Sequence, residues 1–437
     1  MKNDTKINAL RKFPSAWSQD NVWSGRGLFP PVTKLGGSLN IIGTIWIVAM
    51  MLLICADVVA RSWFDQPLPR VPEFVGYSIV AIVFLQLPNT LHLRKLTRAD
   101  AFLDILSIKR PFAGNIYNAI FHISGLIVMS LIAFGLIPDA WDSFQSGEYF
   151  GRQNEIIILV WPFKLITAIC SIVTAIEFFL QTIEFIWMAI RDEPDHPDAR
   201  RGLPKGWGAI LFLVMFCTVG FVLVDSDMEP LTIGFISVGA MLALILSGMH
   251  IGVGLILLSF IGAWLIRDDF DTAVNLLKIA SSGAIKDQLF GVVPLFVLMG
   301  MLVNLGNIGR DTFDVSQWLL GRMAGGLGVA TVVANAIFAA ITGVSIASAV
   351  VFTKVSVPPM VEHGYTTKFS VGIVAGSSVL GMLIPPSLLL IVFGVVAEVS
   401  VGQLFTAAVA PGILLSGAFC VAIIFMSKYM PEFAGRP

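Results

Sequence analysis

Charged residues are scarce in this sequence of 437 residues. Asp, Glu, Lys and Arg make up only 13% of it, whereas 56% is hydrophobic and the mean hydropathy is +0.84. Soluble domains contain about a quarter charged residues. The formal net charge is −1, so the charge offers no support for nucleic-acid binding, and we expect no nucleic-acid partner. The composition predicts an all-α polytopic membrane protein.

Motifs typical of enzymes and of nucleotide-driven pumps are also missing. Neither GxxxxGK[ST] nor GxGxxG occurs, the five histidines form no HExxH, and the four cysteines have no metal-like spacing. The predicted spans contain no paired carboxylates and no Ser/His pair. We therefore expect a protein that is not an enzyme, has no cofactor and does not use ATP.

The charge of the loops alternates along the first half of the chain. Residues 1–36 contain six Lys/Arg against two Asp, and residues 92–112 contain five Lys/Arg, whereas the loops at 62–74 and 137–154 are nearly neutral or acidic. Basic loops lie in the cytoplasm. The pattern predicts a cytoplasmic N-terminus, no cleavable signal peptide, and spans at about 38–61, 75–91, 114–136 and 155–190.

A charged, proline-rich stretch at 191–206 is the one clear linker. We place the domain boundaries there: a four-span domain at 1–190, a linker with a connecting helix at 191–224, and a second domain at 225–437. Amphipathic segments are predicted at 267–288 and 310–322. Besides the connecting span at 207–224, further spans are predicted at about 230–248, 251–266, 290–305, 370–396 and 402–427, which brings the total to ten.

The stretch from Gly325 to Val357 is 33 residues long and mostly apolar, with the polar sequence Thr342-Gly343-Val344-Ser345 in its middle. One straight helix of that length would be about 50 Å long, against a hydrocarbon core of about 30 Å, and two full spans would need about 40 residues. The length fits two half-depth helices joined by a turn. We predict a re-entrant hairpin that opens towards the cytoplasm, because Arg322 and Lys354 flank it.

The next apolar stretch, Ser370 to Val396, is interrupted at Gly381 and at Pro385-Pro386. Proline cannot donate a backbone hydrogen bond, so carbonyl groups become free near it. Non-helical backbone at membrane depth persists only when it is buried in protein or lines a wet cavity. Two such breaks close together in sequence therefore predict an ion or solute site. The alternative is a proline kink and a tight packing turn without a ligand.

A cation at these breaks has no carboxylate available to it, because neither break contains Asp or Glu. Backbone carbonyls and hydroxyls suit Na⁺, which is a hard ion. Ser377, Ser378 and Pro385 contribute small side chains or freed carbonyls nearby. The predicted Na⁺ site, which uses mainly backbone oxygens, consists of Thr342, Gly343, Ser345, Gly381, Ile384 and Pro386.

Four ionisable residues lie inside the first spans: Asp57, Lys164, Glu177 and Glu184. Intramembrane ionisable residues are functional candidates by default. The alternative is pairing between helices, or a position close to the water boundary. Asp57 lies four residues from Arg61, and Glu184 is near a helix end, which favours the alternative.

The motifs ITGVSIASA, PPM…HGY, VLGMLIPPS and PGILL resemble the large membrane subunit of tripartite ATP-independent periplasmic (TRAP) transporters. Residues 1–190 resemble the small subunit of that family, and the span at 207–224 is similar to the helix that joins the subunits in fused versions. The resemblance implies a four-helix domain followed by an elevator-type half-repeat. It implies Na⁺-coupled import of a carboxylated solute, delivered by a periplasmic solute-binding protein, across the bacterial inner membrane.

The resemblance also implies solute contacts at the hairpin tip, from Thr342, Val344, Ser345 and Ser348. The family commonly has two serines there, and Val344 stands in one of those places, which removes one hydroxyl. The family's large subunit contains a second hairpin and a second broken helix, which this sequence lacks. We therefore expect the second half as a partner, either a separate chain or a continuation, besides membrane lipid.

Two alternatives remain. A different elevator-type symporter for divalent anions or citrate has similar hairpins, but the four-span domain argues against it. A membrane scaffold that binds a periplasmic partner without moving a solute is the other alternative.

Overall fold

The computed structural model describes residues 30–99, 102–103, 106–107, 111–150, 157–190, 230–283, 288–323, 325–430 and 434. The linker at 191–206 and the connecting span at 207–224 lie outside these residues, so both stay predictions.

The described part of the chain is mainly helical, and its strands β1 (Tyr149–Phe150) and β2 (Ile158–Leu159) pair in antiparallel orientation. The helices before the predicted hairpin are α1 Pro30–Phe64, α2 Val71–His92, α3 Pro111–Ser146, α4 Trp161–Ile190, α5 Pro230–Leu246, α6 Ile251–Arg267, α7 Phe270–Gly283, α8 Val292–Leu305 and α9 Ile308–Leu320. The helices that follow are α10 Gly326–Thr342, α11 Ser345–Val355, α12 Val357–Glu362, α13 Thr367–Ser378, α14 Leu380–Leu383, α15 Leu388–Val396 and α16 Val401–Tyr429.

These helices account for nine of the ten predicted spans. In the described ranges, α1 to α4 and α16 are long and apolar enough to cross a membrane, and two bent pairs raise the number from 5 to 7. The bent pairs are α8 with α9, at 61°, and α13–α14 with α15, at 46°. The predicted spans at 230–248 and 251–266 correspond to the shorter helices α5 and α6, of 17 residues each. The all-α membrane fold is confirmed.

The described residues group into two compact units. Those within 1–46 and 80–284 form the first unit, and those within 47–79 and 285–437 form the second. The domain boundaries predicted from the linker stay a prediction.

Helix α4, in the first unit, has a polar inner face and an apolar outer face. Ser171, Thr174 and Gln181 are buried, whereas Ile172 and Ile176 are exposed. The Ser171 hydroxyl donates to the Thr167 carbonyl, at 2.7 Å, and the Thr174 hydroxyl donates to the Cys170 carbonyl, also at 2.7 Å. Hydroxyls that bond within their own helix can be buried without an unpaired polar atom. This inverted pattern is what a membrane-spanning helix requires, because lipid favours the apolar face.

The α3–α4 contact depends on a glycine opposite an aromatic ring. A Cβ atom at Gly125 in α3 would overlap the buried Phe178 ring of α4. Phe178 is 1% exposed, so surrounding side chains hold its ring in place. Glycine at this position lets the two helices approach closely, as small residues do in membrane helix pairs.

The core of the second unit lies around α10, most of whose residues are buried. Phe338 of α10 packs edge-on against Phe352 of α11, with ring centroids 5.6 Å apart, and both rings are fully buried. Aromatic pairs prefer this geometry. The two arms of the predicted hairpin therefore contact each other directly, and the core surrounds the first arm.

Replacing Gly125 by alanine is expected to destabilise the first unit by roughly 1–3 kcal/mol, because a methyl group there must displace a rigid ring. Gly239→Ala is the control, since a Cβ at Gly239 in α5 has no neighbour within 4 Å. Thermal unfolding of the full chain in detergent, followed by tryptophan fluorescence, should show a lower midpoint for Gly125→Ala only. Equal midpoints for the two variants would contradict the proposed close contact.

Candidate functional site

The predicted hairpin tip is a two-residue turn between α10 and α11. Gly343 adopts φ 64°, and its amide donates to the Ala339 carbonyl at 2.8 Å. Val344 is extended, with φ −131° and ψ 116°, and α11 begins at Ser345. A left-handed residue at a helix end favours glycine, since glycine has no Cβ to clash. The sequence Thr-Gly-Val-Ser thus ends one helix and starts the next within two residues.

The broken helix is interrupted between α14 and α15. Ile384 is extended, with φ −75° and ψ 123°, and a cis peptide bond joins Pro385 to Pro386. Neither proline can donate to the preceding helical turn. The Ser387 hydroxyl donates instead to the Met382 carbonyl, at 2.6 Å, so a side chain replaces the missing backbone donor. Ser387 also caps α15 by accepting a hydrogen bond from the Leu390 amide.

One predicted detail of this break is wrong. Gly381 does not interrupt the helix, because it lies within the helical turn α14, and the irregular stretch begins at Ile384. Its missing side chain has another consequence. A Cβ at Gly381 would lie 3.0 Å from the Ser345 amide nitrogen and 3.2 Å from the Val344 carbonyl carbon. Gly381 therefore allows the broken helix to touch the hairpin tip.

The two breaks meet backbone to backbone. The Leu388 amide donates to the Gly343 carbonyl at 3.2 Å. A Cβ at Gly343 would lie 2.5 Å from the Pro386 carbonyl oxygen and 3.3 Å from the Phe296 ring of α8. Only glycine at 343 permits this approach, both by its φ angle and by its size. The structure thus brings the predicted residues Gly343, Ser345, Gly381 and Pro386 into one place.

The remaining predicted residues surround this contact. Thr342 is fully buried, and its hydroxyl donates to the Phe338 carbonyl at 3.0 Å. Ser348 is also fully buried, and its hydroxyl donates to the Ser345 carbonyl at 3.1 Å. Both hydroxyl oxygens keep lone pairs for a further contact. Val344 is half-buried and accepts from the Ser348 amide, while the Ile384 side chain packs against Gly412 of α16.

The sequence also contains a buried polar contact that the motifs did not reveal. The Asn335 amide of α10 donates to the Ser377 hydroxyl of α13 at 2.7 Å, and both side chains are buried. This bond ties the first arm of the hairpin to the first arm of the broken helix. The sequence signal that could have indicated it is a single asparagine in a mostly apolar helix.

The site has no carboxylate in its own helices. From Gly326 to Val396 the only acidic residue is Glu362, which is exposed at the end of α12. In the part of the chain that the structure describes, no group of three His, Cys, Asp or Glu residues is placed to hold a metal ion. The oxygens available at the contact are therefore those of carbonyl and hydroxyl groups, a donor set that suits a hard monovalent cation.

The four intramembrane ionisable candidates all have partners. Asp57 pairs with Arg61 at 2.9 Å and accepts from the Leu68 amide at 2.8 Å. Glu184 pairs with Arg94 at 3.7 Å. These contacts agree with the interpretation of the candidates as structural pairs.

Lys164 lies in a cluster of alternating charges. Its amine is 2.7 Å from Glu148 and 3.2 Å from Asp139, and Lys278 of α7 is 3.1 Å from Asp139. Burial raises the pKa of Glu148, but the hydrogen bonds from Lys164 and Ser143 outweigh it and hold that pKa below its usual value. The remaining candidate, Glu177, contacts His92 at 2.8 Å and Gln181 at 3.1 Å.

Two family models match the chain. Residues 50–191 match the DctQ component of the tripartite ATP-independent periplasmic transporters, and residues 238–437 match the DctM component. These matches lie on either side of the predicted linker and connecting helix.

Individual relatives are similar over part of the chain. A C4-dicarboxylate TRAP transporter large permease protein of Pseudomonas aeruginosa is 35% identical over 33% of the chain and 34% of its own length. The sialic acid TRAP transporter large permease protein of Vibrio cholerae is 32% identical over 44% of each. The isethionate TRAP transporter permease protein DctMQ of Oleidesulfovibrio alaskensis is 35% identical over 31% of the chain and 21% of its own length.

The chain thus spans less than half the length of the curated relatives it matches, which are transporter permeases and not enzymes. The hairpin with Gly343 at its tip and the helix broken at Pro385-Pro386 lie within the DctM-matched residues, and most of the four-helix front region lies within the DctQ-matched residues. The chain belongs to the tripartite ATP-independent periplasmic transporter family, with its DctQ and DctM components fused in one polypeptide.

Proposed function

We propose that this chain is a membrane component of a Na⁺-coupled secondary transporter that imports a carboxylated solute across the bacterial inner membrane. A periplasmic solute-binding protein delivers the solute. The observation that carries the proposal is the backbone contact between the hairpin tip and the broken helix, at Gly343, Ser345, Gly381 and Pro386. Broken helices that meet near the middle of a membrane form the ion and substrate sites of many secondary transporters.

The proposed Na⁺ ligands are backbone oxygens at Gly343, Gly381, Ile384 and Pro386, with the hydroxyls of Thr342 and Ser345. Their chemistry supports Na⁺ over a divalent ion, since no carboxylate is present to balance a second charge. Each net charge that enters the cell gains about 2.3 kcal/mol per 100 mV, equivalent to about a 50-fold accumulation of solute.

The proposed solute contacts are Thr342, Val344, Ser345 and Ser348, close to the same tip. Relatives named for C4-dicarboxylates and sialic acid support an organic acid as the solute. The Ser345 hydroxyl and the first amide groups of α11 suit a carboxylate, because a helix N-terminus favours negative charge. Another relative is named for isethionate, which is a sulfonate, so uptake assays should test sulfonates beside carboxylates.

The sodium proposal predicts different effects for two substitutions in the proposed site. Ser345→Ala should weaken the Na⁺ dependence of uptake several-fold, whereas Gly381→Val should abolish uptake, because a side chain there displaces the Ser345 and Val344 backbone. Gly372→Val is the control, since a Cβ at Gly372, in the same broken helix, has no neighbour within 4 Å.

Uptake is measured in proteoliposomes with the assembled system, with Na⁺ or K⁺ outside. Uptake that ran equally well in K⁺ without Na⁺ would refute the coupling. Equal activity of Gly381→Val and Gly372→Val would refute the site.

We also propose that transport needs the second half of the large component, as a further chain or a continuation. The matched relatives are more than twice as long as their aligned segments. Ile346, just after the tip, is 73% exposed, and Val396, at the end of the broken helix, is 74% exposed, so both elements leave large apolar side chains uncovered in the chain alone.

The chain with the binding protein alone is therefore expected to give no solute uptake, and addition of the second half should restore it. The measurement is Na⁺-dependent accumulation in proteoliposomes reconstituted with each combination. Full uptake without the second half would contradict this prediction. If the solute-loaded binding protein bound specifically to the chain but no combination gave uptake, the result would favour the scaffold function.

A further inference from the structure

A chain of polar side chains, three of them buried and one half-buried, lies in the first unit at a distance in sequence from the hairpin and the broken helix. Its members, in order of contact, are His92, Glu177, Gln181 and His122. His122 is 2% exposed, Gln181 is 4% exposed and Glu177 is 5% exposed. Burial of such groups is costly unless each hydrogen bond is satisfied. The proposed transport site uses none of these residues.

The orientation of Gln181 follows from its amide nitrogen. Nε2 is 3.1 Å from the Leu91 carbonyl oxygen and 3.1 Å from Glu177 Oε1, and both of these atoms can only accept when Glu177 is ionised. Reversing the amide would place its oxygen against two acceptors. Gln181 Oε1 must therefore point the other way, and it lies 3.0 Å from His122 Nε2.

The other nitrogen of His122 also contacts an acceptor. His122 Nδ1 is 2.7 Å from the carbonyl oxygen of Asn118, which cannot donate. Turning the imidazole ring over would place carbon atoms against both oxygens. A neutral ring has one N–H and one lone pair, so it would leave a lone pair facing an oxygen. Only an imidazolium, which donates from both nitrogens, satisfies the two contacts.

The charges around His122 come from several elements. Glu177 and Glu184 of α4 are acidic, and Arg94 and Arg98 after α2 are basic, so these four groups balance one another. His92 faces Glu177, and the His250 ring, which precedes α6, packs edge-on against His122 with centroids 5.3 Å apart. Burial, the neighbouring His250 and the two arginines oppose a positive charge on His122, and the hydrogen bond to the Asn118 carbonyl favours it.

The geometry points to a proton-binding site at His122, in which the Asn118 carbonyl and Gln181 Oε1 hold an imidazolium and Glu177 balances its charge through Gln181. The site lies where two matched regions meet, because His122 belongs to the DctQ-like residues and His250 to the DctM-like residues. The Ile251 amide donates to the Thr97 carbonyl beside this contact, at 3.1 Å. Protonation therefore changes the charge of a contact between the two fused components.

The test observes the histidine nitrogens directly, by ¹⁵N solid-state NMR of the full chain in liposomes with labelled histidine. Five histidines are present, and His122→Gln assigns the His122 signals by their loss. We expect both ring nitrogens of His122 to be protonated between pH 5 and 7. One unprotonated ring nitrogen throughout that range would overturn the proposal, independently of any transport activity.

Two matched variants distinguish the role of Gln181 as a hydrogen-bond acceptor from an effect of altered packing. Gln181→Met keeps an unbranched side chain of similar length but removes the acceptor, so His122 should become neutral with its proton on Nδ1. Thr182→Val removes the neighbouring buried hydroxyl, which donates to the Phe178 carbonyl at 2.8 Å, and should leave the His122 signals unchanged.

A doubly protonated ring in Gln181→Met would overturn the role of Gln181. If Thr182→Val also lost the doubly protonated His122 signals, the change would reflect altered packing, and the role of Gln181 would likewise be overturned. If Gln181→Met does not fold, the pH series of the wild-type chain decides the proposal.

Discussion

A peptide group without a hydrogen-bond partner in an apolar environment costs several kcal/mol, and the two helix breaks of this protein depend on that constraint. The Gly343 carbonyl accepts a hydrogen bond from the Leu388 amide, and the Met382 carbonyl accepts one from the Ser387 hydroxyl. Each break thus relies on the other, or on a nearby side chain, for the partners that its own helix lacks. The two interruptions therefore form a single structure.

The same constraint explains why the contact is built from glycines. Gly343 approaches the Pro386 carbonyl and Gly381 approaches the Ser345 amide, so backbone meets backbone with no side chain between. A contact of this kind brings the carbonyl oxygens of both breaks close together. These oxygens are the kind of ligand that a cation can use where no carboxylate is present. The ligands that such a contact offers depend on the backbone conformation more than on side-chain identity. In most metal and catalytic sites, side chains supply the reactive groups.

The first unit meets the constraint with side chains. Helix α4 turns Ser171, Thr174, Glu177 and Gln181 inwards, beside buried apolar residues such as Phe178, and leaves Ile172 and Ile176 exposed. Hydroxyls bond to their own helix, whereas Glu177 and Gln181 bond to groups on other elements. The two units therefore offer different ligands: carbonyls and hydroxyls suit a hard metal cation, and an imidazole between acceptors suits a proton.

The sequence by itself determined the helices, the hairpin turn and the position of the break at Pro385-Pro386, because hydropathy, glycine and proline act on the chain locally. The prediction that Gly381 interrupts the helix was wrong, because a sequence does not distinguish a glycine that permits close approach from a glycine that ends a helix. Only the tertiary structure decided other partners: Asn335 with Ser377, and Glu177 with His92, 85 residues away. Contacts between distant residues leave no periodic pattern in a sequence, so packing alone selects them.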